Sequence, residues 1–262
     1  MDVFQRVNSY CNYWLHAKNH QRIHSPFVFN LLKDAFYAES KGYDFSAIEK
    51  RRAELLNQNE IINVTDLGAG SDKWKTSERK ISDIAKNSLK RKKYAQLIYR
   101  LVHYFQPKTT LELGTSLGLT TVYIGEGYPN GQVHTIEGCP NIAKVAQETF
   151  AKTSTKNISS HIGNFDKVLP EIFATNPILD LVFIDGNHSY APTIKYFEDC
   201  LKYSNSNTVF LFDDIHWSSD MEKAWEEIKN HPKVTISIDL YEMGLIFLRD
   251  ENKAPEHFVV KY

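Results

Sequence analysis

Two short apolar runs in this chain end in acids. Leu181-Val182-Phe183-Ile184 leads into Asp185-Gly186-Asn187-His188, and Thr208-Val209-Phe210-Leu211-Phe212 leads into the pair Asp213-Asp214. Runs of this length, rich in branched and aromatic residues, read as buried strands. If the two are neighbouring parallel strands, their acids emerge at one edge, ~5 Å apart per strand step. Carboxylates that close repel one another unless protonated or bridged by a cation. Their oxygens suit Mg²⁺, with water or substrate oxygens completing the shell. His188, three residues past Asp185, can reach the same space. The plainer alternative is that Asp185 and Asp213 only cap loops and helices.

A second constellation lies upstream, in Thr109-Thr110-Leu111-Glu112-Leu113-Gly114-Thr115-Ser116-Leu117-Gly118-Leu119-Thr120-Thr121. An apolar strand hands over to a helix through a glycine turn, which leaves backbone N–H groups facing a ligand. A dinucleotide would need G-x-G-x-x-G, and Gly114-x-x-x-Gly118 lacks the third glycine. A serine hydrolase is spelled by Gly114-Thr115-Ser116-Leu117-Gly118, with Asp185 and His216 following in order. That motif has three fixed positions and matches by chance, and no oxyanion-hole loop precedes it. An adenosyl sulfonium ligand carries no phosphate but offers an ammonium, a carboxylate and a ribose diol. Glu112 suits the cationic end, and the loop N–H groups with Thr120 suit the carboxylate. Glu137, which closes the next strand candidate in His134-Thr135-Ile136-Glu137-Gly138, suits the ribose hydroxyls. Only this ligand uses both acids.

The elements that would position these groups alternate. Strand candidates are Thr110–Leu113, Val133–Ile136, Ile158–Ile162, Leu181–Ile184 and Thr208–Phe212. Helical stretches, about Thr120–Gly125, Ile142–Lys152, Phe165–Phe173 and Ala191–Tyr203, lie between them, and another follows at Met221–Asn230. Such alternation predicts an α/β fold with a parallel sheet covered on both faces. Val234–Leu240 and Leu245–Arg249 are separated only by Tyr241-Glu242-Met243-Gly244, too short for a parallel crossover, so they form an antiparallel hairpin.

Glu112-x-Gly114-x-x-x-Gly118, the second-strand Glu137 and the terminal reversed hairpin resemble the class I S-adenosylmethionine-dependent methyltransferases over about residues 90–250. The resemblance implies a Rossmann-like, doubly wound, seven-stranded sheet, mostly parallel, with a C-terminal antiparallel hairpin. It implies S-adenosyl-L-methionine as cofactor, held by Glu112, Gly114, Thr115, Ser116, Gly118, Thr120, Glu137 and Asp185. Asn164 and Phe165, after the third strand, would set the adenine side. Within that family the acid-ended strands resemble the metal-dependent O-methyltransferases of the catechol, caffeoyl-coenzyme A and macrolide-sugar types. On that pattern Asp185, Asp213 and Asp214 ligate Mg²⁺. Asp185-Gly186-Asn187-His188-Ser189-Tyr190 matches the Asp-Gly-x-His-x-Tyr motif of the sugar enzymes. His188 stands where the catechol enzymes place a lysine base, so His188 becomes the candidate base and a catechol acceptor is less expected. The implied reaction is methyl transfer to a hydroxyl of a small molecule. The runner-up is a metal-independent N- or O-methyltransferase, and the remote alternative is an esterase using Ser116.

Residues 1–105 read as an N-terminal helical extension and residues 106–262 as the cofactor domain. The extension begins with a helical pattern from Phe4 to about His20, and His16, His20 and His24 recur every four residues. Ser25-Pro26 interrupts that stripe and starts a second helix over Phe27–Tyr37, with Ser25 as N-cap. A solvated or capping role therefore suits the histidines better than a metal site. A polar helix at about Ser46–Asn59 comes next. Ile61 to Ser71 contains Asp66-Leu67-Gly68-Ala69-Gly70-Ser71, a rival glycine turn, but no acid-ended second strand follows at the usual distance. A basic stretch, Ser71–Lys93, then leads into the helix Tyr94–Phe105. Trp14, Phe27, Phe29, Tyr37 and Trp74 read as core aromatics before acceptor contacts, whereas Trp217, beside the acid pair, is the aromatic expected near the acceptor.

The 262 residues carry a formal net charge of −1, which gives no general attraction to nucleic acid or anionic membrane. No apolar run approaches bilayer length, and Met1–His20 lacks the core of a signal peptide. Cys11, Cys139 and Cys200 are far apart and read as free thiols in a reducing cytoplasm. The N-terminal helices are the candidate contact for a homodimer.

Overall fold

The computed structural model describes residues 3–19, 22–38, 42–65, 77–252 and 254–262, with backbone only for residues 3–6 and 8. His20, Trp74 and the Asp66–Ser71 turn lie outside the described residues. The chain divides into two compact units, residues 38–176 and residues 1–37 with 177–262.

The second unit opens with helix α1 (Val3–His16) and helix α2 (Pro26–Leu31), which continues as a π-helical turn over Leu32–Phe36. Helix α1 ends at His16, four residues before the end its apolar pattern suggested. Lys18 instead forms a parallel bridge to Val260, so the helix that would carry the histidine stripe ends at His16. Pro26 occupies the first turn of α2 as expected, but the Ser25 side chain makes no cap and its hydroxyl donates to Glu256 at 3.2 Å.

In the unit formed by residues 38–176, α3 (Ser46–Asn57) is followed by a two-stranded antiparallel ribbon, β1 (Ile61–Asn63) with β2 (Glu78–Lys80). That ribbon is separate from the main sheet, so the segment holding the rival glycine turn does not begin a βαβ unit. Two helices follow, α4 (Ile81–Ser88) and α5 (Lys92–Phe105). Then comes the alternation read from the sequence: β3 (Thr109–Leu113), α6 (Leu119–Gly127), β4 (Gln132–Glu137), α7 (Pro140–Thr153), β5 (Ile158–Ile162) and α8 (Phe165–Phe173). The three strands are parallel and lie in chain order, with Leu111 opposite His134 and His134 opposite Ser159. Leu117, Val122, Tyr123, Ala146 and Phe150 bury the glycine turn, α6 and α7 against Phe45, Ile48 and Leu55 of the α3 region.

The other unit resumes with β6 (Leu179–Ile184), α9 (Tyr190–Leu201), β7 (Ser204–Asp213), α10 (Ser219–Lys229), β8 (Ile236–Asp239), β9 (Met243–Phe247) and β10 (Glu256–Val259). Strands β6 and β7 are parallel, β9 runs antiparallel to both β7 and β8, and β10 pairs parallel with β8. The terminal reversed hairpin is therefore present, and β10 adds an eighth strand to the seven expected. These strands are almost wholly apolar, from Leu181 to Ile184 and from Val209 to Phe212, as strands covered on both faces require.

Candidate functional site

In the 38–176 unit, the residues expected to hold a cofactor lie where β3, β4 and β5 end. Gly114 has φ +107°, Ser116 +48° and Gly118 +79°, so the turn after β3 is built from left-handed backbone. At Gly118 the requirement is double, because a Cβ there would stand 2.7 Å from Cε1 of Phe150 and 3.0 Å from Cβ of Ala146. Gly114 N–H and Thr115 N–H donate to the Ile136 carbonyl at 3.1 and 3.2 Å, which docks the turn onto β4.

Glu137, the last residue of β4, is the hinge of this arrangement. One carboxylate oxygen accepts the Ser116 N–H at 2.8 Å and the other accepts the Cys139 N–H at 2.9 Å, just before α7. The carboxylate is thus fixed between two loops.

Glu112 is fully buried. Its Oε2 accepts the Thr121 hydroxyl at 2.5 Å and the Thr135 hydroxyl at 2.6 Å, and Thr135 also meets Thr115 at 2.6 Å. Its Oε1 is buried with no hydrogen-bond partner. Burial pushes the Glu112 carboxyl up to about 7, the two threonine hydroxyls oppose this, and the charge of Glu137 adds to it. Glu112 therefore supports the turn from beneath.

Ser116 donates through its hydroxyl to Ser88 at 3.0 Å, at the end of α4. Ser88 was not singled out from the sequence, and nothing in its neighbourhood there marks it. Thr120 is half-buried in the first turn of α6. Asn164 caps α8, accepting the Asp166 N–H at 2.8 Å, and half-buried Phe165 follows it.

The other acids belong to the second unit. Ile184 pairs with Phe212, so Asp185 and Asp213 leave adjacent parallel strands side by side. Strand β7 runs one residue further than the sequence suggested and includes Asp213, which is buried. Asp214 has φ +53°, and its N–H donates to the Glu242 carbonyl at 2.8 Å. His188 Nε2 lies 3.7 Å from Asp185 Oδ1. Hard carboxylate oxygens at two adjacent strand ends are the donor chemistry Mg²⁺ prefers. Yet among the described residues no three His, Cys, Asp or Glu side chains are gathered as a ready metal site.

Two residues beyond Asp214, His216 sits between two acids. Its Nδ1 is 3.0 Å from Glu222 and its Nε2 2.8 Å from Asp239. Ser9 of α1 donates to the same Glu222 oxygen at 2.5 Å, and the imidazole stacks on Tyr241 at 5.0 Å. Burial works against the charged imidazole, but Asp239 and Glu222 outweigh it and raise the pKa. With both ring nitrogens engaged, His216 cannot serve as the base that a Ser116 esterase would need. Trp217, its neighbour, is exposed.

Comparison with known proteins agrees with this layout. Residues 111–215 match a family described as a methyltransferase domain. A catechol O-methyltransferase of Niastella koreensis is 31% identical over 127 residues, 47% of this chain and 55% of that protein. An uncharacterized protein of Acanthamoeba polyphaga mimivirus is 28% identical over 132 residues, 46% of this chain and 58% of that one. The chain thus spans a little over half the length of these two relatives. An O-methyltransferase of Streptomyces achromogenes, involved in tomaymycin synthesis and solved with S-adenosylmethionine, shares the fold with a TM-score of 0.60. It is 18% identical, covering 83% of this chain and 96% of that one. The O-methyltransferase of Bacillus cereus, solved with S-adenosylhomocysteine, has a TM-score of 0.58 at 18% identity, covering 82% and 96%. The fold is the Rossmann-like methyltransferase fold, with a mixed, mostly parallel sheet, C-terminal antiparallel strands and N-terminal helices. Residues 111–215 are thus similar to methyltransferase domains, and the fold is the one that solved O-methyltransferases share.

Proposed function

We propose that this protein transfers the methyl group of S-adenosylmethionine to a hydroxyl of a small molecule. The observation that carries the reading is Glu137, a carboxylate pinned by the N–H groups of Ser116 and Cys139 beside a left-handed glycine turn. A carboxylate so fixed is oriented to accept ribose hydroxyls. The turn between Gly114 and Gly118 is assigned to the methionine tail, with Thr115, Ser116 and Thr120. Asn164 and Phe165 are assigned to the adenine. The names of the relatives, a catechol O-methyltransferase among them, support oxygen as the acceptor atom.

Asp185, Asp213 and Asp214 are the residues that would hold a divalent cation, and Asp185 is also assigned to the cofactor. Such an ion, Mg²⁺ by donor chemistry, would lower the pKa of an acceptor hydroxyl. His188 is assigned as the general base. An imidazole is suited to take a hydroxyl proton near neutral pH. The protein's main contribution is then alignment of donor and acceptor.

A second reading, a metal-independent N- or O-methyltransferase, is favoured by one observation: the acids and His188 are not gathered as a ready ligand set among the described residues. The test is transfer of labelled methyl to a panel of hydroxyl and amine acceptors, with and without a strong chelator. Hydroxyl-selective transfer that the chelator abolishes supports the metal-assisted O-methyltransferase. Transfer indifferent to the chelator supports the second reading. His188→Ala should lower turnover and leave cofactor binding unchanged; wild-type turnover would remove His188 as the base.

A further inference from the structure

In the unit formed by residues 38–176, strands β4 and β5 bring two histidines together on one face of the sheet. His134 lies opposite Ser159 and His161 opposite Ile136, so the two are diagonal neighbours on adjacent parallel strands. Alternate residues of a strand share a face, which groups Gln132, His134, Ser159 and His161 on the side of the buried Leu111, Leu113 and Ile136. The Gln132 amide donates to the Ser159 hydroxyl at 3.0 Å. His134 Nδ1 stands 3.2 Å from His161 Nε2, and the ring centroids are 5.5 Å apart. That separation is the nitrogen gap plus the two ring radii, so the nitrogens point at each other. Both rings are half-buried. Burial lowers the pKa of each below the ordinary histidine value. The facing His161 adds to this for His134, and the charge of Glu171 on α8 opposes it for His161. At neutral pH the pair is therefore two neutral imidazoles with one proton between the facing nitrogens. The proposed methyl transfer uses none of these four polar residues.

We propose that His134 and His161 form a two-nitrogen site for a zinc ion that clamps β4 to β5. Neutral imidazole is the form that ligates zinc. Two Zn–N bonds of ~2.0–2.1 Å at a tetrahedral angle set their nitrogens about 3.3 Å apart. The 3.2 Å gap already present is close to that bite. Each ring has to turn by roughly 40° for its lone pair to meet the ion instead of the other ring, a motion that the broad χ2 of histidine allows. The proton between the rings moves to the outer nitrogen of the ring that carries it, by exchange with water. Both imidazoles stay neutral, and their two freed lone pairs make the two Zn–N bonds. The Glu171 charge, which acts on His161, favours a cation there. No third His, Cys, Asp or Glu side chain is gathered with the pair among the described residues, so water completes the shell. Binding is accordingly weaker than at a closed four-ligand zinc site. The donor set separates this site from the acids at Asp185 and Asp213, since imidazole suits zinc and hard carboxylate oxygen suits Mg²⁺. His134 precedes Glu137 by three residues, and His161 precedes Asn164 by three. The clamped strands are thus the two that lead to the proposed ribose and adenine contacts, although the zinc site itself does not rest on that reading.

Titration of the full chain with zinc chloride tests it, in excess Mg²⁺ so that the carboxylates are occupied. NMR of the histidine ring nitrogens should show His134 and His161, of the ten histidines, taking the shift of a metal-bound nitrogen and saturating together. By calorimetry, His134→Gln and His161→Gln should each weaken zinc binding at least ~10-fold, since even a group behind a ligand is worth that much. His188→Ala should leave zinc affinity unchanged. Ring nitrogens of His134 and His161 that stay unmoved at saturating zinc would overturn the proposal, and this wild-type measurement decides even where a variant fails to fold. Full zinc affinity in both glutamine variants would overturn it too. Loss of zinc binding in His188→Ala would do the same and move the ion to the Asp185 cluster.

Discussion

The Glu137 carboxylate receives the Ser116 N–H at 2.8 Å, so the acid that ends β4 holds the glycine turn that follows β3. One side chain thereby shapes the turn. Replacing it by alanine removes a charge-assisted hydrogen bond and, on the proposed function, the ribose acceptor as well. We expect Glu137→Ala to weaken S-adenosylhomocysteine binding by about 10- to 100-fold, the loss of one to two bonds to a charged group. Equilibrium binding of the variant against wild type is the check, and equal affinity would remove Glu137 from the cofactor site.

Glu112 should make stability depend on pH. Its folded pKa is about 7 against an ordinary 4.5, raised by burial. Between those values the folded chain keeps a proton that the unfolded chain has released. Stability therefore falls as pH rises through about 4.5 to 7, by up to about 3 kcal/mol, and levels off above that. Glu112→Gln has no proton to lose and should flatten this part of the profile. Urea midpoints at pH 5 and pH 8 for both proteins decide it, and an unchanged difference between the two pH values would contradict the assignment.

His216 joins α1, the loop after β7, α10 and the end of β8 through Ser9, Glu222 and Asp239. Removing the imidazole leaves the Glu222 and Asp239 carboxylates without the group that lies between them. His216→Ala should cost about 2–4 kcal/mol, and Ser9→Ala only about 1 kcal/mol. Chemical denaturation of the two variants gives the order. Equal losses would mean that the imidazole is not the centre of the cluster.

The α/β alternation was legible because buried strands announce themselves as short branched and aromatic runs, as Leu181–Ile184 and Val209–Phe212 do. The acids at their ends stood out for the same reason. The reversed hairpin followed from the short link at Tyr241–Gly244. Strand β10 was not legible, because Glu256–Val259 is a strand only through pairing with distant β8. The end of α1 was missed likewise, since Lys18 leaves the helix to meet Val260. Ser88, Thr121 and Thr135 escaped because a hydroxyl carries no periodic signal and gains its role from a neighbour far away in sequence. His216 was weighed only as a partner for Ser116, and its real partners, Glu222 and Asp239, lie on two later elements.

Calorimetric titration of the purified chain with S-adenosylhomocysteine tests the central claim most directly. The account predicts saturable binding of one ligand per chain, weakened by Glu137→Ala. No heat of binding from a folded wild-type chain, with or without Mg²⁺, would contradict it.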